Sequence, residues 1–226
     1  MFTVALLAQK GGVGKTTFAV TLAVLAELDG HQAGILDADP SANATHWHKR
    51  RQRVQQKATP PLAVAADSAT LRAAVKAARD DGLEWLFVDT AAGVAELPAV
   101  AAALADLILM PCVGTANNME GLAPTARLVK RIGKPGFFVV NRGRNSKAIN
   151  DACALALTSA YGLPAASAHI LMRLPIGDAE NDGLTILEVP PKKSEESIAK
   201  GQAEFRALWR WVVAQCNGGT DDKEVR

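Results

Sequence analysis

Residues 9–17 have the sequence QKGGVGKTT, and this stretch decides the fold. An apolar run at residues 2–8 precedes it, and an apolar helical pattern at residues 18–28 follows it. A glycine-rich turn between a strand and a helix is the context of a phosphate-binding loop. Because glycine has no Cβ, successive backbone N–H groups can point at an anion, and the positive end of the next helix adds to their field.

The general motif assigns a role to individual residues of this loop. Its lysine, here Lys15, reaches the β- and γ-phosphates, and the next hydroxyl, here that of Thr16, binds Mg²⁺. The motif usually has glycine five residues before Gly14, where this chain has Gln9, and a second lysine, Lys10, stands beside it. We predict that the nucleotide is bound by Gly11, Gly12, Val13, Gly14, Lys15, Thr16 and Thr17.

The composition limits the class of protein. The chain has 226 residues, 49% hydrophobic, with a formal net charge of +2, which suits one domain with a full core. Three widely spaced cysteines, Cys112, Cys153 and Cys216, favour a reducing compartment over a disulfide framework. The run at residues 2–8 is too short to span a membrane, so we interpret it as a first strand and expect a cytoplasmic protein.

Short apolar strands alternate with helical patterns along the chain. We predict strands at residues 2–8, 32–37, 62–65, 85–89, 107–111, 137–141 and 168–171. We predict helices at residues 15–29, 43–56, 69–81, 97–103, 121–132, 147–161 and 194–216. The alternation indicates an α/β fold with a mostly parallel, doubly wound sheet and functional loops at the strands' carboxyl ends. We assign residues 1–216 to this single domain and residues 217–226 to a polar, disordered tail.

Aspartates end two of the predicted strands. The second strand ends in Asp37-Ala38-Asp39-Pro40, and the fourth ends in Asp89. Such residues alone are weak signals, because aspartates often cap helices. Here they follow a phosphate-binding loop in the order that a nucleotide site requires, and a strand-end carboxylate can hold Mg²⁺ through water. We therefore predict that Asp89 and Thr16 hold the metal.

The segment KGGVGKTT resembles the deviant phosphate loop of the ParA/MinD family of ATPases, in which the early lysine is diagnostic. Asp37, Asp39 and Pro40 match that family's DxDPQ segment, with Ser41 in place of the common glutamine. The resemblance implies a SIMIBI-type P-loop NTPase fold and hydrolysis of ATP with Mg²⁺. It also implies that Asp39 orients the attacking water and that Asp37 belongs to the hydration shell of the metal.

Lys10 is the unusual part of the loop, because Lys15 already supplies a cation. In the family that this loop resembles, the early lysine reaches across a nucleotide sandwich to the phosphates of the partner subunit. The resemblance therefore implies a homodimer in the ATP-bound form, with Lys10, Lys15 and Asp39 as the catalytic residues.

The adenine site is predicted from the end of the sixth strand. Related ATPases often use an asparagine there, which in this chain is Asn141 beside Arg142, and Pro190 resembles a late loop that packs on the base. We predict base contacts from these three residues. An asparagine at a strand end can also serve a turn or a cap, so a structural role for Asn141 stays open.

Two acid-free segments indicate a surface for a polyanion, at residues 40–66 and 121–150. Neutralising phosphates is enough to bind DNA of any sequence. The resemblance to short ParA proteins implies nucleoid association, nonspecific DNA binding, partition or positioning of DNA or another large cargo, and a ParB-like or other adaptor that stimulates hydrolysis. Each basic cluster could instead be a solvated helix face. The basic residues are Lys49, Arg50, Arg51, Arg53, Lys57, Arg127, Lys130, Arg131, Lys134, Arg142, Arg144, Lys147, Lys192, Lys193, Lys200, Arg206 and Arg210.

Two other functions of such a fold remain open. A MinD-like, membrane-associated ATPase would need a basic amphipathic C-terminal helix, whereas residues 218–224 are GGTDDKE, so we expect no membrane contact. A metabolic or metal-cluster enzyme would need thiolates at a dimer face, and Cys112 has no suitably spaced second cysteine. His46 and His48 would face apart on a helix, so they do not predict a metal site.

Overall fold

Within the residues that the structure describes, six parallel strands form a sheet at the centre of the molecule. The computed structural model describes residues 1–54, 59–114, 119, 121–189 and 195–218. The strands are β1 (Phe2–Leu6), β2 (Ala33–Ala38), β3 (Leu62–Val64), β4 (Trp85–Thr90), β5 (Leu107–Val113) and β6 (Gly136–Asn141). Their order across the sheet is β3-β2-β4-β1-β5-β6, and every pairing between them is parallel. The predicted parallel α/β sheet is confirmed.

Helices cover both faces of this sheet. In the described ranges they are α1 (Lys15–Leu28), α2 (Asn43–Val54), α3 (Ser68–Asp80), α4 (Glu96–Leu104), α5 (Ala123–Ile132), α6 (Lys147–Tyr161), α7 (Leu174–Asn181) and α8 (Glu195–Cys216), with a 3₁₀ turn at Ile186–Glu188. Side chains of α1, α2 and α8 enter the apolar core on one face, and those of α3 to α6 enter the core on the other. Because the central strands are buried on both faces, their sequences are almost continuously apolar.

The last helix packs against the helix that follows the phosphate loop. Phe205 of α8 contacts Phe18 of α1 edge-on, with 5.6 Å between the ring centroids. The indole N–H of Trp209 donates a hydrogen bond of 2.6 Å to the carboxylate of Asp29, just beyond the end of α1. Helices α1 and α8 therefore share one apolar core.

The carboxyl ends of the strands bring the predicted motifs together. Within the sheet, Leu6 of β1 and Asp37 of β2 both pair with Asp89 of β4. The phosphate loop leaves β1, which lies between β4 and β5. Ligands of doubly wound sheets bind at this edge, where the strand order reverses.

The predicted seventh strand at residues 168–171 is wrong. In the described part of the chain, this region joins the sheet through two isolated bridges, Ala165 to Phe138 and Leu171 to Gly143, and through the N–H of Ile170, which donates to the carbonyl of Val140 at 2.9 Å. The N–H of Leu171 points away from the sheet and donates to the carboxylate of Glu204 at 3.0 Å. The bridges are not consecutive, so a regular ladder does not form.

Helix α7 is absent from the sequence prediction. Pro175 and Gly177 weaken its helical pattern, because proline and glycine are the poorest helix formers. Pro175 lies in the first turn, however, where its missing N–H removes no intrahelical hydrogen bond. The segment is therefore free to form two turns of helix beside the phosphate loop.

Helix α8 ends at Cys216, and residues 219–226 of the predicted tail lie outside the described residues, so the tail stays a prediction. Among the helices that the structure describes, none combines the length and apolar character needed to cross a membrane.

Candidate nucleotide-binding site

The phosphate loop depends on the conformation of Gly14. Its φ of 102° lies in the left-handed region, which favours glycine. A Cβ at Gly14 would lie 2.3 Å from Nδ2 of Asn141, closer than any real contact. The Asn141 side chain occupies this space because its Nδ2 donates to the carbonyl of Val13 at 2.7 Å. Gly14 thus allows the strand end of β6 to brace the loop.

Lys15 lies at the start of α1 with only 6% of its surface exposed. Burial lowers the pKa of its ammonium group, and the nearby carboxylates of Asp89 and Asp39 partly offset this effect. The buried ammonium group of Lys15 is suited to bind an anion such as phosphate. A bound phosphate would add negative charge near Lys15 and so favour its charged form.

A short hydrogen bond joins Thr16 and Asp89 in the site. The Thr16 hydroxyl donates to Oδ2 of Asp89 at 2.6 Å. Burial raises the pKa of the Asp89 carboxyl to about 7, and the Thr16 hydrogen bond partly offsets this shift. The other carboxylate oxygen, Oδ1, is buried and has no hydrogen-bond partner among the described residues.

These groups fit a magnesium ion. Mg²⁺ prefers oxygen ligands and keeps several waters, and Thr16 and Asp89 offer a hydroxyl and an unsatisfied carboxylate oxygen. No group of three or more His, Cys, Asp or Glu side chains in the described ranges could form a metal site by itself. Phosphate and water oxygens would therefore have to complete the shell.

Asp37 and Asp39 have different surroundings. Asp37 is buried, and its Oδ2 accepts hydrogen bonds from the backbone N–H of Thr45 at 2.9 Å and from its hydroxyl at 2.6 Å. It therefore anchors the first turns of α2, and its assignment to the metal's hydration shell stays a prediction. Asp39 is half-buried, accepts from the N–H of Ser41 at 2.8 Å, and lines the cavity described next.

A cavity of about 860 Å³ lies in front of the loop. Several predicted site residues line it, and these are Gly11, Gly12, Gly14, Lys15, Thr16, Thr17, Asp39 and Arg142. Four others lie behind its wall, and these are Val13, Asp37, Asp89 and Asn141, all of them buried. Lys10 is exposed at the start of the loop. Pro190 lies outside the described residues, so its base contact stays a prediction.

Asn141 is oriented towards the loop in this structure. Its amide binds the carbonyl of Val13, and its Oδ1 accepts from the N–H of Arg142 at 2.9 Å. Asn141 therefore has a structural contact with the phosphate loop that differs from the turn or cap considered in the sequence, and its adenine contact stays a prediction. Arg142 adopts a positive φ of 52°, which is unusual for a residue other than glycine, and lines the cavity.

Sequence reasoning missed the part of the cavity wall that helices α2 and α7 form. Helix α2 contributes His46, Trp47 and Arg50 to the cavity, and α7 contributes Glu180 and Asn181. No motif marks these residues, because they meet only through tertiary packing. A long-range contact joins the two helices, since the Arg50 guanidinium donates to the main-chain oxygen of Glu180 at 3.1 and 3.3 Å.

The basic run at residues 49–57 is not a uniform surface. Arg51 is completely buried and forms a bidentate ion pair with Glu188, with N···O distances of 2.7 and 2.8 Å. Its guanidinium also lies 5.1 Å from the ring centroid of Trp47. Arg51 is therefore a structural residue and its inclusion in a DNA surface is wrong, while Lys57 lies outside the described residues.

A second, more open cavity of about 610 Å³ adjoins the first at Arg142. Basic side chains from three segments line it, Arg144, Arg173 and Lys200, beside the exposed side chain of Met172. Arg173 is paired with Glu204 and Lys200 with Glu196. We call this cavity the basic groove, after its four basic residues Arg142, Arg144, Arg173 and Lys200.

The fold and the loop geometry define a class of protein. The chain belongs to the CobQ/CobB/MinD/ParA nucleotide binding domain family, whose model matches residues 4–186. The resemblance seen in the sequence is thereby confirmed.

Individual relatives and solved structures are similar to this chain. The chain is 30% identical over 123 residues to the protein VirC1 of Rhizobium radiobacter, which is 53% of this chain and 52% of that protein. It thus spans about half the length of the curated relatives it matches. MinD of Pyrococcus horikoshii with Mg-ADP superposes with a TM-score of 0.71 at 19% identity, over 93% of this chain and 95% of that one. A protein of Borrelia burgdorferi, described as a plasmid partition protein and bound to AMPPNP, gives 0.67 at 14% identity, over 95% and 99%. At these identities the two structures show a shared fold alone.

Proposed function

We propose that this protein is a Mg²⁺-dependent ATPase that dimerises when ATP is bound and positions DNA or another large cargo. One observation carries the ATPase proposal: the Thr16 hydroxyl is held 2.6 Å from Asp89 beside the buried Lys15, at the mouth of a cavity large enough for a nucleotide. The nucleotides bound to MinD of P. horikoshii and to the Borrelia protein support ATP and Mg²⁺ as the ligands.

The roles of the residues follow from the chemistry of phosphoryl transfer, which needs positioning and charge stabilisation more than covalent chemistry. Lys15 and the loop N–H groups would hold the β- and γ-phosphates. Thr16 and Asp89 would hold Mg²⁺, which offsets the charge that develops on the phosphate oxygens. Asp39 lines the cavity close enough to influence Lys15, and it would orient water towards the γ-phosphate.

The substitution Asp39→Ala tests the ATPase proposal. We expect ATP binding to persist, because Lys15 and the loop remain, while phosphate release falls by about 100-fold or more through loss of water positioning. Binding is measured by calorimetry and turnover by phosphate release, with the distant surface variant Asp80→Ala as a control. Undiminished phosphate release by Asp39→Ala would contradict this role.

Dimerisation is tested at Lys10. The family resemblance implies that this exposed lysine would reach the phosphates of a second subunit, so Lys10→Ala should bind ATP but remain monomeric in light scattering, with reduced turnover. The exposed lysine Lys76, on α3, provides the matched control Lys76→Ala. An ATP-dependent dimer of Lys10→Ala with normal turnover would refute the trans-acting role.

DNA binding is supported by the basic groove next to the nucleotide cavity and by the family's partition proteins. We propose that Arg144 and Lys200 contact phosphates, so the double variant Arg144→Ala/Lys200→Ala should weaken binding to any duplex and reduce its salt dependence. Gel-shift titrations with ATP at several salt concentrations measure this effect.

A flotation assay with anionic liposomes tests the membrane alternative. Flotation with the liposomes together with no DNA binding would favour a MinD-like role instead. Nucleoid association and an adaptor that stimulates hydrolysis belong to the same proposal.

A further inference from the structure

Glu180 places a carboxyl group in the part of the cavity wall that α7 forms, next to Thr17 of the phosphate loop. It is the penultimate residue of α7 and lines the nucleotide cavity together with Asn181. Its Oε1 atom is buried and has no hydrogen-bond partner in the part of the chain that the structure describes. A buried acceptor without a donor is unfavourable, so this oxygen is expected to receive a hydrogen bond when the cavity is filled.

The surroundings of this carboxyl hold it in one place. The Thr17 hydroxyl, Arg50 and Arg142 all interact with it and partly offset the rise in its pKa that burial causes. Arg50 also donates to the main-chain oxygen of Glu180, which fixes the end of α7 against α2. The carboxyl is therefore positioned before any ligand arrives.

Glu180 belongs to a different end of the cavity from the metal-site carboxyl. The charged groups that act on Asp89 are Asp37, Lys15 and Asp39. Those that act on Glu180 are Arg50 and Arg142, and its hydroxyl neighbour is Thr17 rather than Thr16. On the proposed roles of Lys15, Thr16 and Asp89, the γ-phosphate and Mg²⁺ would lie with the first group. Glu180, which lines the same cavity next to Thr17, would then lie nearer the nucleoside.

The chemistry of the ligand identifies what Glu180 can bind. Phosphate oxygens are acceptors, and they repel a carboxylate. The donors of a nucleoside triphosphate are its ribose hydroxyls and the amino group of its base. The ribose follows the α-phosphate directly, and carboxylates bind ribose hydroxyls in other nucleotide-binding folds.

We propose that Glu180 determines sugar specificity by accepting a hydrogen bond from a ribose hydroxyl of the bound nucleotide. This inference rests on the proposed binding of ATP and goes beyond it, because it predicts a preference for ribonucleotides over deoxynucleotides. A charge-assisted hydrogen bond in a buried site supports a discrimination of about 10- to 100-fold.

The experiment compares the binding of ATP, 2′-deoxyATP and 3′-deoxyATP, with Mg²⁺, to the full chain and its variants by calorimetry. The unsubstituted protein should bind ATP about 10- to 100-fold more tightly than at least one deoxy analogue. Glu180→Ala should bind all three alike, at the level of the weaker analogue, and Glu180→Gln should discriminate to an intermediate degree. Asp178→Ala is the matched control, because Asp178 is exposed on the same helix, and it should discriminate like the unsubstituted protein.

Each outcome separates this inference from the function on which it rests. Equal discrimination by Glu180→Ala and the unsubstituted protein would overturn the inference while leaving ATP binding intact. If Glu180→Ala keeps its sugar discrimination but no longer prefers ATP to inosine triphosphate, then Glu180 contacts the base. That result would also overturn the inference. Failure of the unsubstituted protein to bind ATP would refute the proposed function as well. If Glu180→Ala does not fold, the Glu180→Gln series and the deoxy analogues decide the question.

Discussion

The two walls of the nucleotide cavity are built differently. One wall comes from a continuous segment, the phosphate loop at residues 9–17, and from aspartates at neighbouring strand ends. The other wall comes from α2 and α7, which contact each other across about 130 positions of sequence. The loop wall is shaped by backbone conformation and short polar contacts. The helical wall is held by an ion pair and by side-chain packing, so the two should respond differently to substitution.

The largest expected loss of stability comes from a substitution in the helical wall. Arg51→Ala would leave the Glu188 carboxylate without its bidentate partner in a buried site, and breaking such a pair costs about 3–5 kcal/mol. Denaturant unfolding measures the free energy of unfolding. The exposed pair Lys76–Asp80 is the control, and Lys76→Ala should change that free energy by only about 0.5 kcal/mol. A loss below about 1 kcal/mol for Arg51→Ala would show that this wall does not depend on the pair.

A somewhat smaller effect is expected on the loop wall. Gly14→Ala would place a Cβ at a positive φ and 2.3 Å from Asn141, which we expect to cost about 2–4 kcal/mol and to weaken ATP binding. Gly30→Ala is the control, because Gly30 lies outside the site and also has a positive φ, of 89°, and a Cβ there would meet no atom within 4 Å. Thermal unfolding and calorimetry distinguish the two variants. Equal stability and equal ATP affinity of the two would mean that Asn141 does not brace the loop.

The third effect depends on pH. The carboxyl of Asp89 has a pKa of about 7 in the folded protein and an ordinary value of 3.8. Because the folded pKa is raised, the protonated group favours the folded state at low pH, and this stability is lost as the pH rises through about 7. Without Mg²⁺, we expect Asp89 to lower the free energy of unfolding by about 2–3 kcal/mol between pH 5 and pH 8.

Asp89→Asn provides the comparison for this pH dependence. It removes the titrating group, so the difference between its unfolding free energy and that of the unsubstituted protein should change by this amount over the same pH range. Parallel pH profiles of the two proteins would show that Asp89 is already ionised in the folded state.

The loop wall could be predicted almost completely from the sequence. The glycines, Lys15 and Thr16 lie in one short segment, and Asp37, Asp39 and Asp89 lie at or just after the ends of apolar strands. A parallel sheet aligns such strand ends, so local patterns were sufficient to predict that these carboxylates would lie at one edge of the sheet. That Asp37 pairs directly with Asp89 depends on the strand order, which the sequence did not predict. Asn141 shows the limit of this reasoning, because its place at a strand end was predictable but its hydrogen bond to Val13 was not.

The sequence by itself determined the βα alternation, the parallel sheet and the phosphate loop, since hydrophobic periodicity and a glycine-rich turn act over a few neighbouring residues. Only the tertiary structure decided that Arg51 is buried, that residues 168–171 do not form a strand, and that Glu180 faces the phosphate loop. These outcomes depend on which distant groups compete for one hydrogen bond or one buried space. That competition is settled when the helices pack, and no local pattern in the chain records it.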